Sequence, residues 1–330
     1  MTSSSRARFL GIPAPALTAA GVAASMSLPW LADAYTVSLA SYGLVAALVA
    51  VSAHLLTTTV AMPTLGQAAY FGVGAYTAAV LGQGVSSGLV QLIAAATAGA
   101  GAAAVIGSAL VRTRGMVFLV LTIAVGEVAR VAAEQAVPLT GGGNGLAAVP
   151  VSLPGGAELV HDGHVYLYIL TCTLAITGGL HVLLRSRTGI TWRAIADHEA
   201  RMQANGFSVH TRLWTAYVTA GALAGAAGAL LIAARRFVSP TDVAFSTSAL
   251  ALLAAIIGAR SVTATVFAAL LIVGVRDVAG AALPGTSPLL LGLVFVAAAL
   301  ARGGRGRRLA ARVLRRPDYP PRSHPEGRQL

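Results

Sequence analysis

The sequence predicts an all-α fold, a polytopic membrane helix bundle of about ten transmembrane segments. Three observations predict it. Hydrophobic residues make up 56% of the 330-residue chain and charged residues 10%, against about 25% charged in a soluble domain. The mean hydropathy is +0.76. The few charges are collected between long apolar runs, as chain segments that cross a bilayer require.

A span needs about 17–25 apolar residues. Segments of this kind lie near 10–30, 36–62, 66–82, 89–111, 116–137, 165–184, 213–234, 246–258, 262–283 and 288–301, of which 246–258 is short. The first follows Arg6 and Arg8, and Ala32-Asp33-Ala34 has the form of a signal-peptidase site. Its apolar run exceeds the usual 7–15 residues of a signal peptide, roughly, which favours an uncleaved span. Glycine, at 37 residues, is more frequent than the usual ~7% and suits helices packed through small faces. Gly221, Gly225 and Gly228 form one such face.

All 23 basic residues are arginine. Alternating the segments from a cytoplasmic N-terminus places 19 of them inside, leaves Arg235 and Arg236 outside, and puts Arg130 and Arg276 within spans. Cytoplasmic loops of membrane proteins carry such an excess, so both termini are expected in the cytoplasm. Residues 1–301 form the membrane domain. Residues 302–330, rich in Arg and Pro, read as a disordered basic tail suited to anionic headgroups rather than nucleic acid.

The composition also excludes chemistry. Without lysine there is no Walker A phosphate loop and no Schiff base. The single cysteine, Cys172, cannot form an internal disulfide or a redox pair. No nucleophile–base pair suggests an enzyme, and no cofactor is implied. The run from Gly141 to Gly145 follows a span rather than a strand, so it is not a nucleotide loop. His161, Asp162 and His164 are a weak metal signal.

Three stretches carry candidate function. In the inner loop 185–212, Trp192, Ile195, Ala196, Glu199, Met202 and Gln203 recur at helical spacing, and Gly206 follows where a left-handed residue often ends a helix. A short amphipathic helix there either lies on the membrane surface or docks into a cytoplasmic partner. In PTLGQAAYFGVGAYTAAVL, Pro63 and Gly66 interrupt the second span, and Ala68/Gly72 and Gly74/Ala78 are small-residue pairs. Close packing is one reading. The other is a broken helix beside a solute path, with Gln67, Tyr70 and Tyr76 as hydrogen-bonding groups. Glu127 and Arg130 share a helix face inside a span. Either they bridge helices or they line a pathway, since lipid would cost about 2.5–3.5 kcal/mol for each.

The chain resembles the permease subunits of ATP-binding-cassette importers of the branched-chain amino acid class. The resemblance runs over roughly 55–300, in order, through GQAAYFGVGAYTAA from Gly66, TRGMVFLVLTIAVGEV from Thr113, LTGGGNGL from Leu139, SRTGITWRAIADHEARMQANGFSVHTRLWTAYVTAGALAGAAGALL from Ser186 and VSPTDVAFSTS from Val238. It implies that the inner helix is a coupling helix meeting the ATPase, through Arg193, Ala194, Ile195, Glu199, Ala204 and Gly206. It also implies a second homologous permease, two cytoplasmic ATPase subunits and an extracytoplasmic solute-binding protein around a multi-pass chain in the bacterial cytoplasmic membrane. The implied cargo is a branched-chain or other hydrophobic amino acid, with urea or a short amide as related cargoes. Two places depart from the family's pattern. The usual glycine-rich GGLGS loop reads IGARSVTATV, with Ala259, Arg260 and Val262, and Asn205 stands where a small apolar residue is usual. A secondary transporter or channel using Glu127 as an ion or proton site remains the alternative.

Overall fold

The structure, a computed structural model, describes residues 25–30, 32–152, 159, 161–282 and 292. The chain divides into two compact units, Met1–Asp277 and Val278–Leu330, and the first contains nearly all of the described residues.

Helix α1, Ala34–His54, starts after Asp33 and runs on through a π-helical turn, Leu55–Thr59. Thr58 donates to the His54 carbonyl at 2.6 Å and the Met62 amide donates to the Leu56 carbonyl at 2.9 Å. The chain then reverses at Ala61, whose φ is +58°. Pro63 lacks the amide that a continuing helix would use. The expected break in the second span is therefore present, and α2, Gln67–Gly82, starts afresh after it.

Helices α3 (Gly88–Leu110) and α4 (Gly115–Gln135) come next, then α5 (Asp162–Arg185). The inner segment forms α6 (Arg187–Asp197) and α7 (Glu199–Ala204). The long α8 (Val209–Arg235) precedes α9 (Phe245–Ile257) and α10 (Val262–Ala282). Among the described residues, five helices are long and apolar enough to cross a membrane: α1 with its π turn, α3, α4, α5 and α8. Helix α2 has 16 residues and α9 has 13. At 1.5 Å per residue they fall short of a hydrocarbon core of about 30 Å. The expected spans 10–30 and 288–301 and the tail 302–330 lie outside the described residues, apart from 25–30 and 292.

The centre of the bundle is α8, with 83% of its apolar window buried, and α1, with 78%. Helix α8 packs on α3, α2 and α1. It comes close because it presents backbone instead of side chains. A Cβ on Gly225 would meet the backbone of Ala95 and Gly99 on α3, and one on Gly228 would meet Phe71, Gly74 and Ala75 on α2. Gly221 faces Gly99 and Ala103 in the same way. The glycine face expected from the sequence is thus the seam between α8 and its neighbours. Such seams gain dispersion and close helix contact where lipid removes the hydrophobic drive.

The loops collect at two ends. At one end β1 (Leu146–Ala147) pairs antiparallel with β2 (Phe237–Val238), and Ser87 bridges Ser152. At the other end α6 packs on the π turn of α1. Of the arginines in the described loops and helix ends, Arg235 and Arg236 lie at the first end, whereas Arg112, Arg114, Arg185, Arg187, Arg193, Arg201, Arg212 and Arg260 belong to the second.

Helices α3, α4 and α5 turn large apolar side chains outward, among them Ile93, Val105, Val120, Val128 and Val182. A bilayer or another membrane chain must cover them. The whole is an all-α polytopic helical bundle.

Candidate functional site

Between α2 and α4 lies a cavity of about 490 Å3, within the range of about 300–1,000 Å3 that small-ligand pockets occupy. Alanine, glycine and valine make most of its wall. Helix α2 contributes Gly72 and Tyr76, and α4 contributes Ala129, Ala132 and Ala133. The Tyr76 hydroxyl is buried and has no hydrogen-bond partner. Thr140 also reaches the wall, but its hydroxyl is occupied, donating to the Ala133 carbonyl at 2.6 Å and accepting from the Gly142 amide at 3.2 Å. The cavity therefore offers an apolar surface with one free hydroxyl.

The glycine run closes over the end of α4 beside this wall. Gly141, Gly142 and Gly145 have φ of +73°, +62° and +73°. Glycine reaches this backbone region without steric cost, and a Cβ on Gly141 would collide with the Gly145 carbonyl.

The other residues of the broken segment pack away from the cavity. Pro63 lies in the reversing loop, and Gly66 abuts Thr122, where a Cβ would lie 2.8 Å from the Thr122 carbonyl oxygen. The start of α2 is buried in protein. Its Ala68 amide donates to the Ser248 hydroxyl of α9 at 2.9 Å, and the Leu65 amide donates to the Thr122 hydroxyl of α4 at 3.1 Å. Gln67 accepts from Ser52 at 3.1 Å, while its Nε2 is buried without a partner. Tyr70 shares a hydrogen bond of 2.8 Å with Tyr217 on α8. Gly74 sits on the backbone of Gly225. Of the nine residues singled out in this stretch, Gly72 and Tyr76 reach the cavity.

Glu127 and Arg130 pair on α4 at 2.9 Å, and Arg130 also pairs with Glu134. The side chains remain 43%, 30% and 42% exposed for Glu127, Arg130 and Glu134. They bridge turns of one helix rather than two helices, and they flank the outward apolar face of α4.

The arginine-rich end carries the second candidate. Helix α6 is anchored by Trp192 and Ile195, which are 1% and 3% exposed. The Trp192 indole donates to the Arg212 carbonyl at 2.9 Å, and the Arg193 guanidinium donates to the Leu184 carbonyl at 2.5 Å. The single helix expected here is two. His198, with φ −150° and ψ 82°, separates α6 from α7. The apolar anchor ends at Ile195, and α7 has no buried residue. Nothing apolar holds the second half against the bundle, so it diverges. Ala204 and Gly206 are exposed and Ala194 is half-buried. Gly206 has φ +80°, and the Phe207 amide returns to the Met202 carbonyl at 3.1 Å, the expected left-handed stop.

Sequence reasoning missed one partner of this segment. Arg114, in the α3–α4 loop, holds Glu199 through two hydrogen bonds of 3.1 and 3.2 Å. No local pattern joins Arg114 to Glu199, because the two are 85 positions apart.

Residues 35–299 match the family model described as branched-chain amino acid transport system / permease component. The chain is 26% identical over 278 residues to the high-affinity branched-chain amino acid transport system permease protein LivM of Escherichia coli (strain K12), covering 77% of this chain and 65% of that protein. It is 25% identical, with the same coverage, to LivM of Salmonella typhimurium (strain LT2). The chain thus spans about two thirds of the length of these relatives. No solved structure matches. The matched region extends from the first turn of α1 to beyond the end of α10, and on that ground the chain belongs to the branched-chain amino acid permease family.

Proposed function

We propose that this chain is one permease subunit of an ATP-binding-cassette importer for a small hydrophobic amino acid, and that ATP is hydrolysed on a separate subunit. The observation that carries this reading is the α6–α7 segment. It is fixed to the bundle by Trp192 and Ile195 and presents Arg193, Glu199, Ala204 and Gly206 on a surface with no apolar cover. An exposed two-helix element at the arginine-rich end is suited to docking into a groove of a cytoplasmic ATPase. That end is then the cytoplasmic one, by the excess of arginine.

The relatives' description as branched-chain amino acid permeases supports the cargo. So does the cavity, whose alanine and valine wall accepts an aliphatic side chain and whose Tyr76 hydroxyl meets a polar group. Helix α4 forms the pathway side of the subunit. Its outward face is flanked by Glu127, Arg130 and Glu134, whereas α3 has no charged residue at all. Charges in contact with hydrocarbon are costly, so α4 faces a second, homologous permease and the water between them, and α3 faces lipid. An extracytoplasmic binding protein delivers the solute to the end that bears the β1–β2 pair.

Co-purification with the neighbouring ATPase tests the reading. The wild-type chain retains the ATPase, and Gly206→Asp or Arg193→Glu releases it while the bundle still folds. Solute uptake that persists without any ATPase and stops in Glu127→Gln is the result that overturns it, in favour of an ion-coupled transporter.

A further inference from the structure

The cavity between α2 and α4 has a third wall. A 3-10 turn, Pro240–Val243, joins β2 to α9 and packs on both helices. The turn is fixed from its start. The Ser239 amide donates to Asp242 at 3.0 Å in a capping box, and Arg235 pairs with the same carboxylate at 3.5 Å. From this turn Val243, 2% exposed, reaches the cavity wall.

Gly72 of α2 receives it. A Cβ on Gly72 would lie 2.5 and 3.1 Å from the two Val243 methyl carbons, well inside the separation of about 3.5–4.0 Å at which carbon atoms pack. The valine therefore stands where a side chain at position 72 would be, and space at one position is taken from the other. Elsewhere the wall is either short or movable. On α4 it is alanine. Of the other branched aliphatic side chains, Val73 is half-buried, and Val80 and Leu139 are 40% and 66% exposed. The exposed ones can turn outward around a solute. Val243 is enclosed, and its branched Cβ leaves it little choice of rotamer. A rigid side chain that enters an apolar cavity discriminates by size.

We propose that Val243, seated against Gly72, sets the largest aliphatic side chain that this cavity admits, and is a specificity-determining residue of the permease. The proposal rests on the reading of the cavity as the place that takes up the solute's side chain.

The test is the ratio of leucine to valine uptake by the assembled importer, two solutes that differ by one methylene. A ratio taken within one variant does not depend on how much folded protein reaches the membrane. One methylene in an apolar pocket shifts such ratios by about tenfold or more. Val243→Leu, which lengthens the intruding side chain, is expected to lower the ratio severalfold, through leucine, with valine uptake kept. Val243→Ala is expected to retain or raise it. Gly72→Ala, whose methyl takes the room of Val243, should lower the ratio as well, and Gly72→Ala combined with Val243→Ala should return it to the wild-type value. If Val243→Leu does not fold, the Gly72→Ala comparison decides. A folded Val243→Leu with an unchanged ratio, whether both solutes enter normally or both fall in proportion, overturns the proposal. So does a Gly72→Ala shift that Val243→Ala leaves unrelieved. Failure of the importer reading looks different. The wild-type chain with its ATPase then takes up neither amino acid, and the proposal goes with it.

Discussion

Tyr76 and Tyr70 stand six positions apart on α2 and have opposite situations. The Tyr76 hydroxyl is buried without a partner, and that of Tyr70 is shared with Tyr217. Removing a partnered buried hydroxyl leaves the other group unsatisfied and costs about 1–3 kcal/mol, whereas removing an unpartnered one forfeits no bond. Tyr70→Phe is therefore expected to destabilise the bundle, read as a lower midpoint of denaturation. Tyr76→Phe should leave that midpoint unchanged or raise it, and should weaken uptake in a transport assay if the hydroxyl meets the solute. A stable Tyr76→Phe with normal uptake would remove the hydroxyl from the path. At Gly225 the expectation is harsher. A new side chain would strike the α3 backbone at Ala95 and Gly99, and backbone cannot rotate away as a side chain can. Gly225→Val should exceed the ordinary overpacking cost of about 1–3 kcal/mol, seen as loss of folded protein in the membrane.

Among the elements, α6 and α7 divide the work of holding and presenting. Trp192→Ala removes a large buried side chain, a change that typically costs about 3–5 kcal/mol. Because the loss falls at the edge of the bundle, ATPase retention should fall before the folded membrane core does. The Arg114–Glu199 pair is 38% exposed on each side, and exposed pairs contribute about 0–1 kcal/mol. Arg114→Glu or Glu199→Arg should thus leave stability almost unchanged. Each should reduce solute-stimulated ATP hydrolysis severalfold, with recovery in the double exchange. Failure of the double exchange to recover would show that the pair does not link α7 to α4. The same two helices mark how far the sequence could be read. Periodicity located Trp192 and Ile195 in the anchor and Gly206 at the stop, because those signals are local. The break at His198 was illegible, since helical spacing continues through it in the sequence while the apolar face does not. The caps on α2 were hidden for a related reason. Ser248 lies 180 positions from Ala68, and no local pattern joins them. Glycine spacing, by contrast, announced the α8 seam, although the partners on α2 and α3 appear only in the fold.

For the whole molecule, the two-ended distribution of loops makes the orientation testable. With Cys172 replaced by Ala, single cysteines at the exposed positions Asn144 and Ser208 lie at opposite ends. An impermeant thiol reagent is expected to label Asn144→Cys in intact cells and to spare Ser208→Cys until the cells are opened. The reverse pattern would invert the topology. The alternation of segments and the arginine asymmetry were readable from the sequence, because both follow from bilayer thickness and charge. The shortness of α9, and nearly the bounds of α2, were readable too, since the apolar runs 66–82 and 246–258 almost coincide with Gln67–Gly82 and Phe245–Ile257. The glycine seam has a further consequence, for variation. Where α8 touches α2 and α3 through bare backbone, almost any replacement is excluded. The outward face of α4 touches nothing among the described residues of this chain, so a replacement there meets no neighbouring backbone. A change on the outward face of α4 therefore alters what this chain presents to its surroundings and leaves the scaffold around α8 as it is.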